Sequence, residues 1–251
     1  MKKYTARAFL DLKGKTPITM LTAYTTPVAK SLEQAGIPII LVGDSVGMVE
    51  MGMDSTRTVT IEQMCYHVSA VRRGAPNTHI IGDMPYNTDK DPATALKNAR
   101  LLLDAGADSI KLEGPKYDVI SYLRKNVVEV VGHTGLTPQT ASSFKQVGKS
   151  APEAARVLEE ARGIAGAGAF MLVLEHIPNE LAKSITDAIP IPTIGIGAGN
   201  LCDGQVLVVN DAIGMGDHWP PFSKQYAHTG KIIIEAALEF RREVEERKFP
   251  S

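Results

Sequence analysis

Three stretches of the chain share one pattern. A helical alternation of apolar and polar positions runs out in a glycine, and a short Val/Ile/Leu run follows that finishes on a carboxylate. Residues 32–36 (LEQAG) lead into 37–44 (IPIILVGD), 103–106 (LDAG) into 107–113 (ADSIKLE), and 165–168 (AGAG) into 169–175 (AFMLVLE). A glycine just past a helix supplies the positive φ that ends it. Apolar runs this continuous suit parallel strands covered on both faces.

The intervening sequence predicts the remaining elements. Residues 18–21 (ITML) form a first strand, a helical pattern opens at Thr60 and runs to about Arg73, and 78–83 (THIIGD) form a strand. Asp91 followed by Pro92 reads as an N-cap with proline at the first helical position, starting a helix through Leu103. Residues 127–133 (VVEVVGH) predict a strand, and Ser150-Ala151-Pro152-Glu153 a capped helix start. A helix over 179–188, strands over 191–195 and 206–209, and an amphipathic helix over 224–248 complete the reading. The last has a charged face of Glu235, Glu239, Arg242, Glu245 and Glu246. Eight strands, most separated by helices, are the arithmetic of one (β/α)8 TIM barrel domain over residues 1–251 with a C-terminal helix. A doubly wound open sheet is the alternative, because periodicity does not show closure and the connection over 200–205 is short. Residues 132–149 (GHTGLTPQTASSFKQVGK) make a long polar loop, a kind that often carries function.

Composition narrows the classes. Of 251 residues, 44% are hydrophobic and 22% charged, and 27 Lys/Arg nearly balance 28 Asp/Glu. That balance argues against a nucleic-acid binder driven by bulk charge, and the apolar content is ample for a core. No apolar run approaches the roughly 18 residues of a membrane span, and no h-region follows the N-terminal residues 1–7. Cys65 and Cys202 stand alone without a CxxC, so neither a disulfide framework nor a thiolate zinc site is expected, and a reducing cytoplasm is the expected compartment.

The candidate chemistry lies at the strand ends, which converge on one face of such a barrel. Asp44, Asp83, Glu113, His133 and Glu175 end strands two to six. Neighbouring strands lie about 5 Å apart, so these groups reach a common atom. Close-packed carboxylates in a partly dry cavity either take up protons or hold a cation between them. An oxygen-only set without cysteine or paired histidine favours a hard ion such as Mg²⁺. Lys111, two residues before Glu113, faces the same side and can hold a substrate carboxylate or neutralise the acids beside it. Ser45 can donate from its hydroxyl or amide. Glu175 leaves an apolar strand, and a general base, a fourth metal ligand and a helix cap all remain open for it. His133 opens the long loop and suits polar support of the site. His67, His79, His218 and His228 read as structural or surface residues. The tract Gly195-Ile196-Gly197-Ala198-Gly199 fits either a phosphate-binding loop or a tight turn.

Longer motifs resemble a known family. Residues 41–48 (LVGDSVGM), 54–56 (DST), 111–114 (KLEG), 132–139 (GHTGLTPQ), 174–175 (LE), 191–199 (IPTIGIGAG) and 202–208 (CDGQVLV) stand in the order of the ketopantoate hydroxymethyltransferases, and the likeness runs from about Arg7 to Pro250. The resemblance implies a (β/α)8 barrel of the phosphoenolpyruvate-mutase-like superfamily, usually a homodecamer. It implies one Mg²⁺ per subunit held by Asp44, Asp83 and Glu113. It also implies a 2-oxoacid held by Asp44, Ser45, Asp83 and Lys111, with Glu175 as proton acceptor. The implied reaction moves a hydroxymethyl group from methylenetetrahydrofolate to 3-methyl-2-oxobutanoate through a Mg-stabilised enolate. The product is ketopantoate (2-dehydropantoate), for pantothenate and coenzyme A synthesis. No nucleic-acid or membrane partner is implied. Departures from the family's usual residues fall at Thr25, Thr26, His176 and over 84–88 (MPYNT). Two other readings are a Mg²⁺-dependent 2-oxoacid lyase or phosphonopyruvate mutase on the same barrel, which needs no folate, and a metabolite-binding subunit without turnover.

Overall fold

The computed structural model describes residues 3–217 and 219–250, so His218 lies outside the described residues. The chain divides into two compact units, Met1–Val206 and Leu207–Ser251. In the first, eight parallel strands close into a barrel in chain order, as the (β/α)8 reading expects; closure sets the open sheet aside. The strands are β1 (Ile18–Thr22), β2 (Ile39–Val42), β3 (His79–Asp83), β4 (Ser109–Lys111), β5 (Val130–Gly135), β6 (Met171–Glu175), β7 (Thr193–Ile196) and β8 (Gly204–Leu207). Helices α1 (Ala6–Leu10), α2 (Thr26–Gln34), α3 (Val46–Val49), α4 (Ile61–Gly74), α5 (Pro92–Asp104), α6 (Tyr117–Lys125), α7 (Ala151–Gly166) and α8 (Asn179–Ala188) precede or separate them. No described helix is long and apolar enough to cross a membrane.

Local chemistry sets the helix starts. Asp91 caps α5 through Oδ1, which accepts from the Thr94 N–H at 2.9 Å. Thr60 with Gln63 and Ser150 with Glu153 form reciprocal capping boxes on α4 and α7. Three expectations for the strands are corrected. Strand β5 begins at Val130 rather than residue 127, because Val127 takes a positive φ and is 88% exposed, which makes it a turn residue. Strand β8 spans Gly204–Leu207 rather than 206–209, and Val209 opens the next helix. A Cβ at Gly204 would strike the Ile18 carbonyl oxygen, so only glycine lets the strand start there. Strands β2 and β4 also stop two residues short of Asp44 and Glu113, which stand on the following turns.

The barrel interior is packed by Met20, Ile39, Leu41, Ile81, Val131, Met171, Val173 and Ile194, with Phe9 of α1 joining from the end where the strands begin. There Phe9 meets the edge of His79, whose ring nitrogens lie 3.1 Å from the Tyr4 carbonyl and 2.9 Å from Ser109 Oγ. His79 is thus structural, as its sequence context suggests. The same end carries a clasp at the barrel's seam. Asp203, in the helix-free connection from β7 to β8, accepts from Lys13 Nζ, the Gly14 N–H and the Thr193 N–H, each at 2.9 Å. Its carbonyl accepts from the Ile18 N–H of β1 at 3.0 Å.

The second unit contains α9 (Val209–Ile213) and α10 (Thr229–Glu245). The tail helix is shorter than the expected 224–248. Before it, the Tyr226 N–H is drawn to the Ala212 carbonyl at 2.7 Å, and beyond it Arg247 turns to positive φ. Every residue of α10 keeps solvent exposure, Ile232, Ile234, Leu238 and Phe240 included.

Candidate active site

Parallel register brings the expected acids together at the ends of β2, β3, β4 and β6. Asp83 is the Cα partner of Lys111, so the two side chains leave neighbouring strands at the same height. Lys111 Nζ donates to both oxygens of Asp83, at 2.8 and 2.9 Å, and lies 4.0 Å from Glu113 Oε1. The Asp44 N–H donates to Asp83 Oδ2 at 3.3 Å. His133 stands between two carboxylates, with Nδ1 3.4 Å from Glu113 Oε1 and Nε2 3.3 Å from Glu175 Oε2. Asp44, Asp83, Lys111, Glu113 and His133 are all buried, and only Glu175 keeps appreciable side-chain exposure, at 18%. Ser45 adjoins the group: the point where a Gly43 Cβ would stand is 2.9 Å from Ser45 Oγ and 3.9 Å from Asp83 Oδ2. Ser45 Oγ also shares a hydrogen bond of 2.8 Å with the buried Tyr24 hydroxyl.

The electrostatics follow from this packing. Burial, then the charge of Asp83, pushes the Asp44 carboxyl well above the ordinary aspartate range. Burial also raises Asp83, against the opposing pull of Lys111. For Lys111, burial works against the charged form, but Asp83, Glu113 and Asp44 outweigh it and its pKa rises. His133 behaves alike: burial disfavours the imidazolium, yet Glu113 and Glu175 push its pKa up to about 9. Burial would raise Glu113, but His133, Lys111 and the Gln139 N–H hold it below the usual value.

Sequence reasoning gave no role to Gln139, Tyr24 or the Asp89–Lys116 pair. Gln139, on the long loop, donates from Nε2 to Asp44 Oδ2 at 2.8 Å and to the Met84 carbonyl at 2.9 Å, and its N–H donates to Glu113 Oε2 at 3.1 Å. Its signal was present only as a polar residue in a long loop. The buried Asp89 accepts from Lys116 Nζ at 2.6 Å, tying the loop after β3 to the one after β4. The glycine tract at 195–199 runs from the end of β7 into a turn: Gln205 Nε2 donates to the Gly199 carbonyl at 2.9 Å, and Asn179 fills the space beside Gly199. His67 bonds the Tyr24 carbonyl at 2.8 Å, and His228 stands at the N-cap position of α10 without a side-chain capping bond.

Among the described residues, no three His, Cys, Asp or Glu side chains stand ready as a metal cage. Lys111 engages both oxygens of Asp83, and Gln139 engages one oxygen each of Asp44 and Glu113. The donor set nevertheless fits a hard divalent cation. Asp44, Asp83, Glu113 and Glu175 bring four carboxyl groups together, and among the described residues Lys111 and His133 are the cationic side chains set against them. Oxygen ligands of this kind suit Mg²⁺.

A parallel (β/α)8 barrel with buried acids at the carboxyl ends of its strands is an enzyme architecture, and solved structures of that class share the fold. Phosphonopyruvate hydrolase complexed with oxalate and Mg²⁺ superposes with a TM-score of 0.66 at 13% identity, covering all of this chain and 89% of its own. The 2,3-dimethylmalate lyase, a PEP mutase/isocitrate lyase superfamily member, superposes with a TM-score of 0.62 at 13% identity, covering 96% and 87%. The family itself is fixed by sequence. The model of the ketopantoate hydroxymethyltransferases matches residues 3–251, and the chain belongs to that family. The 3-methyl-2-oxobutanoate hydroxymethyltransferase of Thermosipho melanesiensis is 46% identical over 98% of this chain and 96% of its own length. That of Pyrobaculum calidifontis is 45% identical over 100% and 97%.

Proposed function

We propose that this protein transfers a hydroxymethyl group from methylenetetrahydrofolate to 3-methyl-2-oxobutanoate, giving ketopantoate for pantothenate and coenzyme A synthesis. The observation that carries the reading is the buried Asp44–Asp83–Glu113 group around Lys111, with Glu175 and His133 beside it, in a chain of this family. Asp44, Asp83 and Glu113 would hold one Mg²⁺. When bound, the ion supplies Lewis acidity to the carbonyl of the oxoacid. That a phosphonopyruvate hydrolase of this fold is complexed with oxalate and Mg²⁺ supports the reading.

The remaining steps fall to the chain's own groups. Lys111 shares its ammonium between Asp83 and the substrate carboxylate, and Ser45 donates its hydroxyl to the same end of the substrate. Asp44 and Asp83 complete that binding pocket. Glu175, at the rim of the buried group, takes the proton from C3 of the oxoacid, leaving C3 nucleophilic. His133, 3.3 Å from Glu175 Oε2, orients that carboxylate. A C–C bond then forms between C3 and the folate methylene carbon. Both of the methylene's bonds to folate nitrogens break, water supplies the hydroxyl, and the proton taken from C3 and one from water end on the two nitrogens of tetrahydrofolate. In the same reading the enzyme is cytoplasmic and assembles as a homodecamer, as the family resemblance implies.

The test is exchange of the C3 hydrogen of 3-methyl-2-oxobutanoate in heavy water, followed by NMR with and without folate. Exchange that requires Mg²⁺ and falls at least a hundredfold in Glu175→Gln is expected, from the size of general-base effects. Equal exchange after chelation, or with Glu175→Gln, overturns the scheme, and folate-independent C–C cleavage would mark a lyase instead.

A further inference from the structure

Gln139 is buried and touches three strand ends at once, and nothing in the proposed chemistry uses it. Its Nε2 meets the Met84 carbonyl, which only accepts, and Asp44 Oδ2, which only accepts in the ionised form that would hold a cation. The orientation of the amide is therefore dictated by its neighbours, since turning Oε1 toward them would oppose two acceptors. Both amide hydrogens are committed, and the residue's main-chain N–H is committed to Glu113. One side chain and its own backbone thus span from Asp44 after β2, past Met84 after β3, to Glu113 after β4.

The span is held from outside. Arg57, on the exposed turn between α3 and α4, donates from Nε to the Gln139 carbonyl and from NH2 to the Ala141 carbonyl, both at 2.8 Å. Its guanidinium also lies 5.9 Å from the centre of the Tyr86 ring. The loop segment between is a stiff turn: the Thr140 and Ala141 N–H groups both donate to the Thr137 carbonyl, at 3.0 and 2.8 Å. At its root, the Leu136 N–H donates to the Glu175 carbonyl at 2.8 Å. A fork of two charge-assisted bonds on carbonyls two residues apart fixes direction as well as distance.

We propose that Gln139, seated by Arg57, is a positioning residue that sets the separation and aim of Asp44 and Glu113 for a divalent cation. The inference rests on the proposed cation site and deepens it. Without the Gln139 amide, Asp44 loses the side-chain donor that fixes Oδ2. Without Arg57, the turn carrying Gln139 loses its outer tether and is held by its root and by Gln139's own bonds. The two residues act in series, so their effects on cation binding must not add.

The test uses the full chain and Mn²⁺ alone, with free Mn²⁺ read by electron paramagnetic resonance, in the wild type, Gln139→Met, Arg57→Ala and the double variant. Groups that orient metal ligands typically change affinity by about 10–100-fold. Gln139→Met is expected to weaken Mn²⁺ binding by about tenfold or more, and Arg57→Ala by a smaller factor. The double variant should match Gln139→Met within about twofold. Full additivity of the two losses, or wild-type affinity in Gln139→Met, overturns the inference. Should Gln139→Met fail to fold by circular dichroism, Arg57→Ala decides alone, and unchanged affinity there overturns it. An Asp44→Asn control separates the two levels. A wild type that binds no Mn²⁺, or binds it as well as Asp44→Asn does, sinks the cation site itself, whereas loss in Asp44→Asn with no change in Gln139→Met sinks only the positioning role.

Discussion

Removal of the Asp203 carboxylate should loosen the barrel at its seam without touching the acids at the other end of the strands. The group accepts from Lys13 Nζ, Gly14 N and Thr193 N at 2.9 Å each and from Thr193 Oγ1 at 3.3 Å, with its side chain only 4% exposed. In Asp203→Ala, Lys13 and Gly14 recover water, but the Thr193 N–H stays buried without an acceptor. Breaking a buried charged pair this way costs about 3–5 kcal/mol. For a chain of this size that corresponds to a fall in Tm of about 6–20 °C. Asp203→Asn keeps the shape but must present an NH2 to either Gly14 N–H or the Lys13–Thr193 side, so about 1.5–3 kcal/mol is expected, near the value of one charged hydrogen bond. Burial would raise the Asp203 carboxyl, yet Thr193, Lys13 and Gly14 hold it below the usual aspartate range. A folded-state pKa that is depressed gives stability present above the unfolded value of about 3.9, lost as pH falls through the folded value. The gap between wild type and Asp203→Asn should therefore be steady from pH 8 to 6 and close below about pH 4. Urea melts across that range measure it. An Asp203→Ala penalty under about 1 kcal/mol, or a gap that widens on acidification, refutes the reasoning.

Two further outcomes follow from packing and capping. A Cβ at Gly132 would run into Ile164 Cγ2 of α7, so Gly132→Ala should destabilise by about 1–3 kcal/mol in urea melts, and Gly132→Ala with Ile164→Leu, which lacks that β-branch methyl, should recover part of it. Ser150 Oγ accepts from the Glu153 N–H at 3.4 Å and closes a capping box on α7, so Ser150→Ala should cost about 1 kcal/mol, and a loss above about 2 would show that more than the cap had gone.

Where a residue's role is decided by its own neighbours in sequence, the chain announced it. Asp91 with Pro92, Ser150 with Glu153, and the glycines at 36, 106 and 168 act within a few residues of themselves, and the structure has them as the pattern implies. The acids at the strand ends were legible for a similar reason, because a parallel barrel leaves its strand termini on one face. The errors arise where a distant group decides. Val127 and Val128 look like the start of a strand, but β5 takes its register from β4 and β6, beginning at Val130. Gly204 looks like a turn, yet it must pass the Ile18 carbonyl where the barrel closes. Gln139 was unreadable because its partners lie 26 to 95 positions away and meet it only through the fold of an irregular loop.

The clasp and the acid cluster occupy opposite ends of the same strands, and they draw on different ones: β1, β7 and β8 for the first, β2, β3, β4 and β6 for the second. Selection acting on substrate preference can therefore revise the turns after β2 to β6 while the hinge-pin of the cylinder stays as it is. A library confined to residues 86–87 and 142–145 should yield many folded members, whereas the same diversity spread over 13–18 and 200–204 should yield few.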